Sequence, residues 1–170
     1  RRQRQMCIRD RHERLKKASI EPSSDIEPAR LIRRLKLDIL GIPPSYDEVQ
    51  EFVSDARPDA FERWIDRFLA SPAYGERWGR HWLDVARYAD TRGYAFNRDR
   101  RYPYAYTYRD YVIQALNEDL PYDRFVVEQL AADQVELGGE KWRLAALGFL
   151  TVGRKFNNAH DDIDDKIDVV

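Results

Sequence analysis

The chain has 170 residues, of which 43% are hydrophobic and 35% are charged. This length is typical of one domain with its own hydrophobic core. No stretch approaches the ~18 uninterrupted apolar residues of a membrane-spanning helix, so no membrane span is expected. The single cysteine, Cys7, excludes an internal disulfide framework and a cysteine-rich zinc or iron–sulfur site held by this chain alone. The net charge of −1 argues against general affinity for nucleic acid.

The amino-terminal segment differs in charge from the rest. Residues 1–17 contain eight Arg or Lys against two acidic residues, and the remaining chain has a net charge of −7. The run from Met6 to Arg11 matches the translation of a sequencing-library adapter, so we interpret residues 1–11 as an artefact. Residues 18–28 are rich in Ser, Pro and Glu, which is typical of a linker. We therefore predict an artefact and disordered linker over residues 1–27, followed by one helical domain over residues 28–170. We expect this domain to be a metagenomic fragment truncated at its carboxyl end.

Helical periodicity dominates the chain from Pro28 onward. Apolar residues recur at helical spacing in successive segments, separated by Gly, Pro and capping residues. Ser45 and Glu48 have the spacing of a capping box, and Asp59 and Glu62 repeat it. No segment alternates cleanly as a strand. The predicted fold is all-α, a compact array of about six to seven short helices with one long loop rich in Arg and Tyr. The helix predicted to be longest has Ser71 as its N-cap and carries an apolar stripe at Trp78, Trp82, Val85 and Ala89, and Gly93 follows it. Two later helices are predicted from the apolar residues Tyr108, Tyr111, Val112, Ala115 and Leu116 and from Phe125, Val126 and Leu130.

The same helix carries the four candidate catalytic residues, which are His81, Asp84, Arg87 and Asp90. His81 and Asp84 lie three positions apart and therefore share one edge of the helix. A carboxylate that accepts a hydrogen bond from the imidazole would fix its tautomer, as a general base requires. Alternatively, these side chains satisfy one another structurally, with Arg87 paired to Asp84 or Asp90. The spacing leaves both interpretations open.

The loop that follows is basic and aromatic. Four arginines against one aspartate could bind a nucleic acid, a sugar ring or an acidic partner, or the tyrosines could hold the loop on the helices. An interface with another protein or domain is favoured, because Tyr and Arg are enriched at binding hot spots and the acidic remainder repels phosphate. The candidate binding residues are Arg92, Tyr94, Arg98, Arg101, Tyr102 and Tyr104.

An acidic segment near the carboxyl end raises a metal hypothesis. His160, Asp161 and Asp164 are its candidate ligands. The spacing lacks the central glycine and the final glutamate of a calcium loop. An acidic first turn of a helix also explains the segment, because carboxylates stabilise helix amino termini. We therefore predict no metal.

Several motifs in a fixed order along the chain indicate a protein family more specifically than any one of them does. They are Leu31–Asp38 with Gly41-Ile42-Pro43-Pro44, then Ile65–Trp78, His81–Asp90, Tyr108–Ile113 and Leu120–Phe125. In this order they resemble the planctomycete cytochrome-c-associated domain of unknown function, a module of large exported bacterial proteins. The resemblance runs from Pro28 to Val170.

This resemblance implies a helical module beside a c-type cytochrome domain, located in the periplasm or at the cell surface. Its implied partners are the adjacent cytochrome and downstream domains, with a glycan as a further candidate. Haem c is expected only in the full-length protein, and this fragment is expected to hold no cofactor. The resemblance supplies no established catalytic residue. The hypothesis is an interaction or scaffolding module; the alternative is part of an oxidoreductase or polysaccharide-processing enzyme with a cleft at His81 and Asp84.

Overall fold

The computed structural model describes residues 2–90 and 103–152, together with residues 160, 163, 164 and 167. The two continuous ranges contain eight helices and no β-strand, which confirms the predicted all-α class. None of the described helices combines the length and the apolar character needed to cross a membrane. In chain order the helices are α1 (Arg2–Lys17), α2 (Pro28–Leu40), α3 (Tyr46–Ser54), α4 (Ala60–Leu69), α5 (Ala73–Val85), α6 (Ala105–Asn117), α7 (Tyr122–Ala131) and a 3-10 helix (Lys141–Leu150).

The eighth helix, beyond the six to seven predicted, is α1. It lies in the segment that is predicted to be an artefact and disordered linker. The segment is rich in Arg, Gln, Glu and Lys, which are good helix formers, but it has no continuous apolar stripe. Periodicity therefore gave no signal for this helix.

The predicted capping box is present at α3 and absent at α4. Ser45 Oγ accepts a hydrogen bond from the backbone N–H of Glu48 at 3.2 Å, and Glu48 Oε2 accepts one from the N–H of Ser45 at 2.7 Å. The predicted capping box is therefore confirmed. Asp59 precedes α4 but makes no side-chain capping bond, so the second predicted box is wrong.

Helix α5 is shorter than predicted at both ends. Pro72 occupies the N-cap position that was assigned to Ser71. The helix ends at Val85, well before Gly93, because Arg87 adopts a left-handed conformation with φ of +53°. The next N–H, that of Tyr88, bonds the carbonyl of Leu83 at 2.9 Å and closes a Schellman motif. Glycine usually occupies this position, so an arginine there does not indicate the end of a helix.

The helices enclose two hydrophobic cores. Helix α5 contacts α2 of the first core and α6 of the second. The first core joins α2, α3 and α4, with Trp64 between the rings of Phe52 and Phe68. The second core forms around α6, which packs against α5 and the 3-10 helix, while α7 packs against the 3-10 helix. Its buried members include Tyr108, Tyr111 and Val112 of α6, in agreement with the predicted stripe of that helix.

The face of α5 that meets α6 is made of glycines. Gly75 and Gly79 are the buried residues of α5. A Cβ atom on Gly75 would overlap the backbone oxygen of Ile113, so the two helices can approach this closely only without a side chain there. The predicted apolar stripe is consequently divided: Trp82 packs against the second core, whereas Trp78 is 41% and Val85 53% exposed. These large residues form a wall of the cavity described next.

Candidate functional site

An open groove runs along α5, opposite the segment that joins α6 to α7. Its volume is about 430 Å³. On α5, the residues that line the groove recur at least once in every helical turn from Tyr74 to Val85. At a rise of 1.5 Å per residue, this wall is about 16 Å long. We call this cavity the aromatic groove. Its lining residues are Tyr74, Trp78, His81, Trp82, Val85, Ala115, Leu116, Leu120, Tyr122 and Phe125.

The floor of the aromatic groove is apolar. The rings of Trp82 and Phe125 meet edge to face, with their centroids 5.0 Å apart. The indole N–H of Trp82 donates to Gln129 Oε1 at 2.7 Å, and the hydroxyl of Tyr108 donates to the same oxygen at 2.6 Å. Gln129 in turn donates to the carbonyl of Phe125 at 3.1 Å. Because the only polar atom of Trp82 is bonded in the interior, the ring presents carbon atoms to the groove.

The rim combines aromatic rings with a few polar atoms. The indole of Trp78 donates to the carbonyl of Ile39 at 3.0 Å, and its ring lies 5.6 Å from that of His81. Tyr122 is 71% exposed and meets Trp82 edge-on at 6.4 Å. The side-chain polar atoms left for a ligand are the imidazole nitrogens of His81 and the hydroxyls of Tyr74 and Tyr122.

The structure places only one of the four catalytic candidates in this groove. His81 is exposed and lines it, whereas Asp84 is exposed and does not. Within the described ranges, no hydrogen bond joins His81 to Asp84. Asp90 accepts a hydrogen bond from the hydroxyl of Tyr88 at 2.6 Å, and burial together with this carboxylate raises the pKa of Tyr88 to about 12. Arg87 terminates α5.

Tyr104 is the one residue of the candidate binding set that lies in a described range. Its side chain is 73% exposed and lines a second cavity of about 510 Å³, between the start of α6 and the 3-10 helix. Gly148 of the 3-10 helix approaches Tyr108 at the base of this cavity. The other candidates, Arg92, Tyr94, Arg98, Arg101 and Tyr102, lie outside the described residues.

The metal candidates are only partly described. His160 and Asp164 are exposed helical residues, and Asp161 lies outside the described part of the chain. Among the residues whose placement is given, no three His, Cys, Asp or Glu side chains are grouped to hold a metal ion.

A buried ionic cluster was missed by the sequence analysis. Glu128 is fully buried and accepts hydrogen bonds from Arg124 at 2.8 Å, from Arg143 at 3.1 Å and from the hydroxyl of Tyr111 at 3.1 Å. Arg143 also bonds Glu118 at 2.8 Å. The four-residue spacing of Arg124 and Glu128 is visible in the sequence, but nothing there points to Arg143. The cluster joins α6, α7 and the 3-10 helix.

The fold and groove thus define an all-helical domain with an apolar, aromatic-lined cavity along α5. Residues 11–170 match the family described as PSCyt2, protein of unknown function (DUF1549), and the chain belongs to this family. No curated protein and no solved structure matches the chain. The planctomycete origin and the adapter interpretation of residues 1–11 stay predictions.

Proposed function

We propose that this domain is an interaction module of a larger exported protein, with the aromatic groove as its docking surface. The observation that carries the proposal is the exposure of large apolar side chains along the groove. Trp78, Val85 and Tyr122 are 41%, 53% and 71% exposed and line one continuous cavity. Exposed apolar patches of this kind typically mark binding surfaces.

The buried polar groups of the second core support an interaction role over catalysis. Glu128, Gln129 and Arg143 are bonded to neighbouring helices and lie beneath the groove floor or beyond it. Burial raises the pKa of Tyr108, and burial with the Glu128 carboxylate raises that of Tyr111, so both phenols stay neutral near pH 7. These groups stabilise the helix packing and do not supply a base to the groove.

The setting of the module is part of the same proposal. We place it in the periplasm or at the cell surface, next to a cytochrome domain that carries haem c elsewhere in the full-length protein. The resemblance to cytochrome-c-associated proteins supports this setting. Tyr104 and Tyr106, 73% and 46% exposed, offer a second contact surface at the start of α6.

The test is binding of the 170-residue chain to separately produced neighbouring domains of its own full-length protein, measured by calorimetry. Val85→Asp introduces a charge into the groove wall, and we expect it to weaken binding about tenfold or more. Val127→Asp is the matched control, because Val127 is similarly exposed on α7 but does not line the groove. Absence of binding, or equal effects of the two variants, would overturn the proposal.

The position of His81 at the groove mouth favours one alternative, an enzyme that oxidises or cleaves a polysaccharide. His81→Ala distinguishes the two functions. Because the side chain is exposed, we expect its loss to leave the melting temperature nearly unchanged. Turnover of a polysaccharide by the wild-type chain that disappears in this folded variant would establish the enzyme. A docking module predicts no turnover by either protein.

A further inference from the structure

Three oxidisable side chains form a continuous series through the second core. Trp82 lines the aromatic groove, Tyr108 is buried in α6, and Tyr88 follows α5. We propose that these rings pass one oxidising equivalent from Trp82 to Tyr88, with Asp90 as the acceptor of the tyrosine proton. The species that oxidises Trp82 is a one-electron oxidant strong enough to oxidise an indole, such as a peroxide-activated metal centre. This transfer does not require any particular molecule to be docked in the groove.

The three side chains are in contact from one end of the series to the other. The indole nitrogen of Trp82 lies 3.1 Å from the hydroxyl oxygen of Tyr108. The rings of Tyr108 and Tyr88 are stacked, with their centroids 6.5 Å apart. Tyr108 is 1% exposed, whereas Trp82 and Tyr88 are both partly exposed. Because electron tunnelling falls off steeply with distance, a buried ring that contacts both outer rings couples them electronically.

Tyr88 has the hydrogen bond that a tyrosine needs in order to lose an electron near neutral pH. Its hydroxyl donates to Asp90 Oδ1 at 2.6 Å, and its pKa is raised to about 12 by burial and by this carboxylate, so the phenol is neutral. An oxidised phenol is a strong acid and must release its proton as the electron leaves. A carboxylate within hydrogen-bond distance accepts that proton directly.

The transfer balances in electrons and protons. One electron moves from Tyr88 through Tyr108 to the oxidised indole of Trp82, and the phenolic proton moves to Asp90 Oδ1. The products are a reduced indole, a neutral tyrosyl radical and a protonated carboxyl group, which is exposed and releases the proton to water. A small reductant in solution, such as a phenol or an enediol, then donates a hydrogen atom to the tyrosyl oxygen. Tyr88 is restored, and the reductant leaves as a radical.

A branch of the same core is less suited to hold the radical. The ring of Tyr111 stacks on that of Tyr108 at 6.4 Å, and its hydroxyl donates to Glu128 at 3.1 Å. Glu128 also accepts hydrogen bonds from Arg124 and Arg143. Taking up the proton of Tyr111 would therefore weaken two ion pairs at a buried carboxylate. Asp90 is exposed and does not have this cost, so the radical should settle on Tyr88.

The experiment starts the transfer from a defined position beside Trp82. A ruthenium polypyridyl photosensitiser is attached at position 122 of the 170-residue chain that carries Cys7→Ser and Tyr122→Cys. Tyr122 is exposed and its ring meets that of Trp82 at 6.4 Å, so the label lies next to the first ring of the series. A laser flash with a cobalt(III) ammine complex as irreversible electron acceptor converts the label into the oxidant. We expect a tyrosyl radical in transient absorption, and a spin-trap adduct that peptide mass spectrometry locates at Tyr88.

Variants of the labelled chain, each checked for folding by circular dichroism, test the steps separately. Asp90→Asn should lower the radical yield about tenfold, whereas Asp110→Asn should leave it within about twofold, because Asp110 is an exposed carboxylate bonded to Arg109 instead. Trp82→Phe should slow formation of the radical, since a phenyl ring is much harder to oxidise than an indole. An adduct at Tyr111 or elsewhere with none at Tyr88, a yield that Asp90→Asn leaves unchanged, or a rate that Trp82→Phe leaves unchanged would overturn the proposal.

Discussion

The side-chain oxygen of Asn117, at the end of α6, accepts a hydrogen bond from the backbone N–H of Gly75, in the first turn of α5, at 2.8 Å. The amide nitrogen of Asn117 donates to the carbonyl of Pro72 at 3.1 Å. Pro72 occupies the N-cap position and has no side chain that could cap the helix. Helix α5 is therefore capped from another helix, and this contact ties together the two walls of the aromatic groove.

Loss of this cap should destabilise the domain. We expect Asn117→Ala to lower the free energy of unfolding by about 1–2 kcal/mol, because an orphan N–H of α5 loses its partner. Urea denaturation monitored by circular dichroism measures the change. Gln114→Ala is the control, since Gln114 of the same helix bonds only to Glu118 in an exposed setting, and its cost should be below about 0.5 kcal/mol. Equal costs for the two variants would contradict the capping role.

The two glycines of α5 should respond differently to alanine. A Cβ on Gly75 would overlap the backbone of Ile113 and approach Asn117 Oδ1 at 2.7 Å, so we expect Gly75→Ala to cost about 2–3 kcal/mol despite its better helix propensity. A Cβ on Gly79 would meet a side-chain atom, Ile113 Cγ1, at 3.3 Å, which a shift of a few tenths of an ångström relieves. There the gain in propensity, about 1 kcal/mol, offsets the crowding, and Gly79→Ala should be nearly neutral. Thermal unfolding of both variants provides the comparison.

These glycines show where periodicity alone could not predict the fold. The pattern correctly located the stripe of α6, because large apolar residues there are also the buried ones. On α5 the close contact is made by residues without side chains, and a hydrophobicity pattern gives glycine no weight. On α7 the pattern selected Phe125, Val126 and Leu130, but Leu130 is 44% exposed and Glu128 and Gln129 are buried in its place.

The groove itself could not be predicted from local spacing. Spacing puts His81 and Asp84 on one edge of α5, because that depends only on the helix, but it does not show which side chains line a cavity. The groove depends on how α5 lies against the segment from Ala115 to Phe125, which is a tertiary contact. Glu128 likewise pairs with Arg143, which lies fifteen residues away, and no local sequence rule connects the two residues.

Breaking the buried pair of Glu128 and Arg143 should lower the free energy of unfolding strongly, whereas replacing both residues together should lower it less. Glu128→Gln leaves a buried guanidinium short of a partner, and we expect a loss of about 3 kcal/mol in the free energy of unfolding. Adding Arg143→Met removes this guanidinium, whose remaining partners Glu118 and Glu140 are partly exposed, and should recover part of the loss. The exposed pair of Arg34 and Asp38 is the control, and Arg34→Gln should cost less than about 0.5 kcal/mol. A double variant with strictly additive losses would show that the pair is not coupled.

Asp55 should make the stability of the first core depend on pH in the acidic range. Arg57 donates two side-chain hydrogen bonds to its carboxylate, each 2.6 Å long, and these hold the pKa of Asp55 at about 2, below its ordinary value of 3.8. A lowered pKa in the folded state means that the stabilisation is complete above about pH 4 and is lost as the pH falls towards 2.

Arg57→Gln removes the two guanidinium bonds. Its melting temperature should therefore lie below that of the wild type at pH 5, and the difference should shrink steadily as the pH falls from 4 to 2. Melting curves recorded by circular dichroism at half-unit pH intervals give the comparison, and Asp55→Asn should show the same convergence with the wild type. A difference that stays constant or grows on acidification would mean that the carboxylate is not held by Arg57, because protonation of an unbonded Asp55 would affect both proteins equally.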